Sequence, residues 1–475
     1  MSSLGNYEEP IIYGLDIGTR SVVGTVGYKQ KDRFIVIAQV SKEQETRAMI
    51  DGQIHDIIAV GNTISEITSE LEQKVSRKLD AVCIAAAGRV LKTVTSTAEH
   101  VFDEDKVVTT EDILSLEALA VEHAYEQFQK ENDTDMKFYC VGYSVMRYYM
   151  NNYPMGNLLD HKAKTISLEL IATFLPDDVV DGLYRAVEHA GLSVANLTLE
   201  PIAAIEVAIP QMFRMLNIGL IDVGAGTSDI CITKEGSISA YGMLPIAGDG
   251  LTEMIARHCL VDFATAEEIK IGIEKNEVVE YKDIMSLPKT IKREEVLDLL
   301  EPQIDRMADE AAQKLLELNG GKPVSPVFVV GGGGKIAGYT RKITEKLGIP
   351  EERCAVRGED VMQKIDFMER GIVKDSLLVT PIGICLNYYQ KSNNFIFVNI
   401  NDKRIRLYDN NKLTVIDAAI QADFPNDGLF PKRGKSITIT VDGRQRVIRG
   451  QAGEAAVITV METMPISIRR SGATM

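Results

Sequence analysis

The chain has no tryptophan, only six histidines and six cysteines, and fewer basic than acidic side chains, 52 Lys plus Arg against 68 Asp plus Glu, for a formal net charge of −16. Most of these shortages exclude something. The cysteines (83, 140, 231, 259, 354 and 385) are scattered without a CxxC pair, so neither a zinc site nor a disulfide framework is indicated. Several sit in apolar strands and read as small buried hydrophobes. The histidines are equally dispersed, and none is assigned to catalysis. The acidic balance argues against a nucleic-acid binder, which would present clustered basic surface. No apolar run approaches the ~18 residues that span a bilayer. The N-terminal MSSLGNYEEP lacks a basic region followed by an apolar one, so no signal peptide is expected and a cytoplasmic location is. At 475 residues and 45% hydrophobic content, two to four domains with a substantial core are expected.

What is present centres on Ile218–Thr233, IGLIDVGAGTSDICIT. Apolar β-branched runs flank a break at Gly224-Ala225-Gly226, which reads as a hairpin with Asp222 at the end of the incoming strand. A turn of small residues lets backbone N–H groups approach an anion closely. A carboxylate beside it would repel a bare phosphate, but suits one bridged by Mg²⁺, which keeps several waters and takes one or two carboxylates plus phosphate oxygens. The same grammar occurs earlier, in Gly14-Leu15-Asp16-Ile17-Gly18-Thr19-Arg20-Ser21 between Ile11-Ile12 and Val22-Val23. Two such hairpins about 200 residues apart suggest two related halves gripping one polyphosphate.

Along the chain, residues 11–40 read as three strands, Ile57 to Val75 as an amphipathic helix, and Val82–Ala86 as a strand, the start of an α/β layer. Strands over Val90–Ala98, Tyr139–Tyr149 and Lys164–Phe174, with a helix opened by Thr109-Thr110-Glu111-Asp112, suggest an inserted β-α-β-β block over 89–173. Pro176 opens a helix that stops at Gly191, and Leu199-Glu200-Pro201 turns a strand end into a helix. Helices are expected over Leu251–Leu260, from Thr265, and from Leu300 to Leu318; residues 274–295 show no clear period. Pro326–Val330 is a strand running into Gly331-Gly332-Gly333-Gly334-Lys335, followed by a helix with Ile336, Tyr339, Ile343 and Leu347 on one face. Strand, glycine turn and helix N-terminus make an anion platform, although the Walker A spacing is absent. From Asn393 the pattern is β-rich, with one helix expected over Val415–Ala422, as in a separate small α+β module.

GLDIGTRS, GLIDVGAGTSDI and FVVGGGGKIAG, in that order, resemble the actin and heat-shock-chaperone ATPase superfamily, and the details look most like the bacterial cell-division FtsA family. The likeness covers roughly residues 11–390. It implies an actin-like ATPase fold, with duplicated ribonuclease-H-like halves around a nucleotide cleft. The expected division is 11–88 with 174–207, the FtsA-type insert 89–173, 208–245 with 324–392, a nucleotide-side helical subdomain 246–323, and the module 393–475, similar to a β-grasp unit. By resemblance, Asp16, Gly18, Thr19, Arg20 and Ser21 form the first phosphate loop, and Asp222, Gly224, Ala225, Gly226, Thr227 and Ser228 the second. Glu200 corresponds to the residue that orients the attacking water. Glu267 and Lys270 would flank the nucleoside, with Gly248 and Asp249 on the cofactor side and Gly332, Gly333, Gly334 and Lys335 in the adenosine loop. The implied cofactors are ATP or ADP and Mg²⁺, the metal held by Asp16 and Asp222.

Either aspartate alone would ordinarily be a turn cap; duplication in matching contexts favours metal. Glu200 has a helix cap as its plain alternative. Asp222 and Glu200 are the expected catalytic pair for slow Mg²⁺-dependent ATP hydrolysis. The resemblance further implies self-assembly into filaments and division partners such as the tubulin-like ring protein FtsZ. The alternatives are a nucleotide-binding adaptor without turnover, like the pilus-assembly relative PilM, and a metabolic kinase or chaperone-type ATPase. FtsA proteins end in an amphipathic membrane-binding helix. Here Lys432, Arg433, Lys435, Arg444, Arg446 and Arg449 of the last module offer either a solvated strand face or a contact to anionic lipid at the inner face of the membrane.

Overall fold

In the computed structural model, residues 10–389 are described, apart from 45–47, 51, 88–90, 133 and 135, and beyond them 395–400, 403–408, 415, 437–441 and 444–448. The chain divides into two units, 1–393 and 394–475.

The first unit begins with an antiparallel meander, β1 (Ile12–Ile17), β2 (Ser21–Gln30) and β3 (Arg33–Glu43), followed by a short ribbon of β4 (Met49–Ile50) and β5 (Gln53–Ile54). Helix α1 (Ile57–Val75) is capped by the Asp56 side chain, which accepts from the Ala59 N–H at 2.9 Å. It buries Ile64, Ile67 and Leu71 completely, each worth ~1.5–3 kcal/mol relative to exposure. β6 (Ala81–Ala86) then joins β1 in parallel. The insert comprises β7 (Lys92–Val107), α2 (Thr110–Glu131), β8 (Phe138–Met150), β9 (Tyr153–Met155) and β10 (Lys162–Pro176), its sheet ordered β7-β10-β8-β9. Thr109 and Asp112 form the expected reciprocal cap of α2. The insert also touches the second half: the Ser144 and Tyr241 hydroxyls share a 2.9 Å hydrogen bond, and Arg147 pairs with Glu235.

After α3 (Asp177–His189), β11 (Ser193–Leu199) extends the first sheet alongside β6, and α4 (Glu200–Ala208) leads to the second sheet. That sheet repeats the first. β12 (Ile218–Val223), β13 (Ser228–Lys234) and β14 (Ser237–Leu244) form a meander, and β17 (Val327–Val330) and β18 (Cys354–Val356) add in parallel. The orders β3-β2-β1-β6-β11 and β14-β13-β12-β17-β18 are the same path traced twice. The duplication read from the glycine motifs is therefore a duplication of topology. The two sheets differ in their crossover before the fourth strand. The first uses α1; the second uses α5 (Gly248–Cys259), α6 (Phe263–Lys275), a hairpin of β15 (Val278–Lys282) and β16 (Pro288–Lys292), and α7 (Arg293–Leu318).

Two expectations are corrected. The helix after Lys335 does not begin at Ile336: α8 runs Tyr339–Leu347, because Gly338 stands at φ +89° and cannot continue a helix backwards. The glycine turn instead closes in a short 3₁₀ turn at Gly333–Lys335, so the α8 N-terminus is not delivered to it. Helix α5 begins at Gly248, three residues earlier than expected. The chain after β18 also returns to the first sheet: β19 (Ile365–Phe367) pairs parallel with β3, and α9 (Val379–Tyr388) packs on α4 and β1. All six cysteines are buried, and none forms a disulfide.

The second unit contains two antiparallel ribbons, β20 (Phe395–Ile400) with β21 (Lys403–Tyr408), and β22 (Ile437–Val441) with β23 (Arg444–Ile448). Arg444 and Arg446 lie on β23; the expected helix over 415–422 and the other four basic residues lie largely outside the described residues.

Candidate functional site

Hairpin register builds the centre of the site. Asp16 and Asp222 are each the penultimate residue of their strand, with Asp16 opposite Val23 and Asp222 opposite Asp229. The equivalence predicted for the first pair of aspartates is thus matched, and the second hairpin adds a third carboxylate that the motif reading had not singled out. Glu200, first residue of α4, supplies a fourth. These four groups feel one another. Burial first, then repulsion from Asp222, pushes Asp16 up to about 7. Burial, then Asp222 and Asp16, pushes Asp229 up to about 8. Burial, with Asp229, Asp16 and Asp222 behind it, holds the Glu200 carboxyl well above the usual range. Asp222 is also raised by burial, partly offset by a hydrogen bond from the Thr380 hydroxyl to its Oδ2.

Such a cluster has the composition of a cation site. Its donors are all oxygens, which suits a hard divalent ion. One buried oxygen, Asp229 Oδ1, has no hydrogen-bond partner. Among the described residues no three His, Cys, Asp or Glu side chains converge into a complete ion cage. An ion here would therefore take the rest of its shell from water and phosphate, as Mg²⁺ commonly does. The residues present fit Mg²⁺ with a polyphosphate.

The glycine turns flank this cluster. The Gly18 N–H donates to the Ser21 carbonyl and the Gly224 N–H to the Thr227 carbonyl, tying each turn to itself. Gly52, which follows the β4 strand, donates its N–H to Thr19 Oγ1 at 3.3 Å. The α5 N-terminus turns toward the second turn: the Gly248 and Asp249 N–H groups donate to the Gly224 and Ala225 carbonyls at 3.2 and 2.8 Å. Ser228 Oγ donates to the Ile246 carbonyl. Gly331, not Gly18 or Gly224, has the left-handed backbone, at φ +81°. A Cβ there would lie 2.5 Å from Asp222 Oδ1 and closer still to the Val223 carbonyl oxygen. Gly333 approaches Gly224 with similar closeness, so the Gly331–Gly334 turn and the Gly224–Gly226 turn share backbone contact.

Arg20 links the two halves. Its guanidinium pairs with Asp249 and with Glu267, and stacks 4.9 Å over the Phe263 ring. Glu267 also holds Lys270 at 2.7 Å and accepts from Thr252 Oγ1 at 2.6 Å. Burial opposes its charge, but Lys270, Thr252 and Arg20 outweigh that and keep the Glu267 carboxyl below the usual range. Residues expected to touch nucleotide from two sides are thus joined in one charged network across the cleft. Lys335 is placed apart: it pairs with Asp375 and lines an open groove of about 780 Å³ that also includes Gly358, Glu359, Lys374 and Ser376. No other residue of the predicted nucleotide set lines that groove.

The raised carboxylates give a pH signature. An acid whose pKa is higher folded than unfolded keeps a proton that the unfolded chain releases, so stability falls as pH rises through the interval between the two values. For Asp229 that interval runs from about 3.8 to about 8. In metal-free buffer the thermal midpoint is expected to fall between pH 6 and 8.5. Asp229→Asn should flatten that slope and melt above wild type at pH 8.5. Parallel melting profiles for the two proteins would contradict the burial of an uncompensated charge.

Comparison with known proteins agrees with this architecture. The family model described as Cell division protein FtsA matches residues 219–379, a span that includes the Gly224–Gly226 turn and Gly331–Gly334. The chain is 22% identical over 403 residues to the cell division protein FtsA of Pseudomonas aeruginosa, covering 82% of this chain and 92% of that one. It is 22% identical over 322 residues to the FtsA of Escherichia coli K12, covering 66% and 74%. Among solved structures, the PilM-PilN type IV pilus biogenesis complex aligns over 79% of this chain and 98% of its own with a TM-score of 0.59 at 15% identity. The chain has the actin-like ATPase fold, and its sequence resembles the FtsA proteins of several bacteria.

Proposed function

We propose that this chain is an actin-like, FtsA-type cell-division protein that binds Mg²⁺–ATP between its two halves and assembles into filaments as a nucleotide-gated scaffold. The observation that carries the reading is a five-strand path traced twice, each copy carrying an acid-bearing glycine hairpin, with the acids of both hairpins in one buried cluster. Mg²⁺–ATP, when bound, supplies a labile γ-phosphoryl group whose charge the metal offsets. Asp16 and Asp222 would hold the ion through water, with Asp229 beside them. Gly18, Thr19, Gly224, Gly226 and Thr227 would face the β- and γ-phosphates. Gly332 to Gly334, Glu267 and Lys270 would bound the nucleoside. Glu200 would orient the attacking water; burial and the neighbouring Asp229, Asp16 and Asp222 hold its carboxyl well above the usual range.

Self-assembly is supported by two exposed apolar patches on the second half. Met212, Phe213, Met215 and Leu216 lie before β12, at the end of that strand remote from the phosphate turn. Ile284, Met285 and Leu287 lie at the β15–β16 tip, where the Ile284 N–H donates to the Leu260 carbonyl at the far end of α5. Two separate patches of different composition suit a heterologous, open-ended contact. Among the described residues no helix is long and apolar enough to cross a membrane, so a place at the inner membrane face would be peripheral, with FtsZ-like division partners recruited there.

Sedimentation tests the reading. Wild type is expected to pellet in ATP with Mg²⁺ and to stay in solution in EDTA. Phe213→Asp and Met285→Asp should each cut the pelleted fraction at least about fivefold while still binding ATP, since each buries a charge in an apolar contact. A protein that binds ATP but never sediments would replace the filament by a PilM-like adaptor.

A further inference from the structure

Thr380 has no place in the sequence-derived site, lies 158 residues from Asp222, and is buried against it. It stands in the first turn of α9, and its hydroxyl donates to Asp222 Oδ2. The segment leading into α9 is itself locked to the adenosine-side glycine turn. Ser376 Oγ donates to the Gly331 carbonyl at 3.0 Å, and the Gly331 N–H donates back to the Ser376 carbonyl at 3.3 Å. Asp222 Oδ2 is therefore taken by Thr380, while Oδ1 keeps the space that a Cβ on Gly331 would fill. A carboxylate among three others has reason to swing or to share a proton. A fixed donor on one oxygen prevents both and leaves the other oxygen aimed in one direction.

We propose that Thr380 is a positioning residue for the cation site, orienting Asp222 so that one oxygen stays available to Mg²⁺ and its waters. This rests on the Mg²⁺–ATP reading above. The arrangement also gives α9 a direct mechanical connection to the site. Thr380 and the contact between Gly383 and Ala203 lie on the same helix, and α4, which carries Ala203, begins at Glu200. The Asp222 and Glu200 carboxylates are thus referenced to two helices in backbone contact.

The test compares Thr380→Val, which keeps the shape and removes the hydroxyl, with Thr380→Ser, which keeps the hydroxyl. ATP binding is measured by calorimetry in EDTA and across a Mg²⁺ titration at fixed ATP, with the ligand-free melting midpoint recorded for each protein. Thr380→Val is expected to raise the Mg²⁺ concentration for half-saturation about tenfold, the effect typical of removing an outer-shell hydrogen bond. Its ATP affinity in EDTA should match wild type, and Thr380→Ser should restore the wild-type Mg²⁺ requirement. Thr380→Ala carries the same comparison should the valine variant not fold. An unchanged Mg²⁺ requirement in the hydroxyl-free variants would overturn the inference alone. So would a serine variant as impaired as the valine one, which would reduce Thr380 to packing. A wild type whose ATP binding ignores Mg²⁺ would overturn the functional reading with it.

Discussion

Gly383→Ala is expected to unfold this protein at markedly lower urea, losing at least about 3 kcal/mol, the upper end of what overpacking a close-packed site costs. Gly383 lies in α9 where that helix crosses α4, and an added Cβ would stand 2.5 Å from the Ala203 carbonyl carbon and inside contact distance of its oxygen. The obstacle is backbone, not the end of a flexible side chain, so relief requires the helices to part. Parting them moves Glu200 at the head of α4 and Thr380 at the head of α9 together. Nucleotide binding should fail even in whatever fraction stays folded. Gly182→Ala is the matched control. That glycine is also mid-helix, in α3, but a Cβ there meets nothing nearer than Ile54 Cβ at 3.8 Å. It should be neutral or stabilising by up to ~1 kcal/mol, the ordinary helix preference for alanine over glycine. Equal urea midpoints for Gly383→Ala and wild type would mean the two helices do not meet as described.

The sequence exposed what local pattern encodes. The acid, glycine and apolar grammar around Asp16 and Asp222 was enough to anticipate two equivalent hairpins, and the sheets repeat the same strand order around them. Asp229 was within reach: in a tight hairpin the residue opposite Asp222 follows from counting, and the count lands on it. Thr380 was not, because its partnership spans 158 residues and depends on α9 returning from the second sheet to pack on α4. The β15–β16 ribbon escaped for a different reason. Its exposed, mixed-charge strands bury little beyond Ile291, so they carry no alternation to read. The extra turn of expectation at Ile336 shows the converse hazard. Helical spacing held across Ile336, Tyr339 and Ile343, but Gly338 in a left-handed conformation starts the helix at Tyr339.

Some residues of the expected site meet neighbours that the motifs do not announce. Glu267 and Lys270 were anticipated at a nucleoside; Glu267 pairs with both Lys270 and Arg20. Arg20 reaches 229 residues along the chain to Asp249, joining the first phosphate turn to the start of α5.

The second large effect concerns Asp222 itself. It is the most central of the four carboxylates: Asp16, Glu200 and Asp229 are each raised in part by its charge. Removing it leaves the remaining acids less strained, so Asp222→Ala should fold, and its ligand-free melting midpoint at pH 8 should not fall by more than a few degrees. What it should lose is the metal's contribution to nucleotide affinity. Since outer-shell changes cost ten- to a hundredfold, loss of a carboxylate of the metal site itself should reach at least about a hundredfold.

The decisive measurement is an ATP-binding isotherm taken with Mg²⁺ and with EDTA, on wild type and on Asp222→Ala. The account predicts that Mg²⁺ tightens wild-type binding at least about a hundredfold and leaves the folded variant almost unaffected. Identical wild-type isotherms in Mg²⁺ and EDTA, or an Asp222→Ala variant that responds to Mg²⁺ as wild type does, would contradict it.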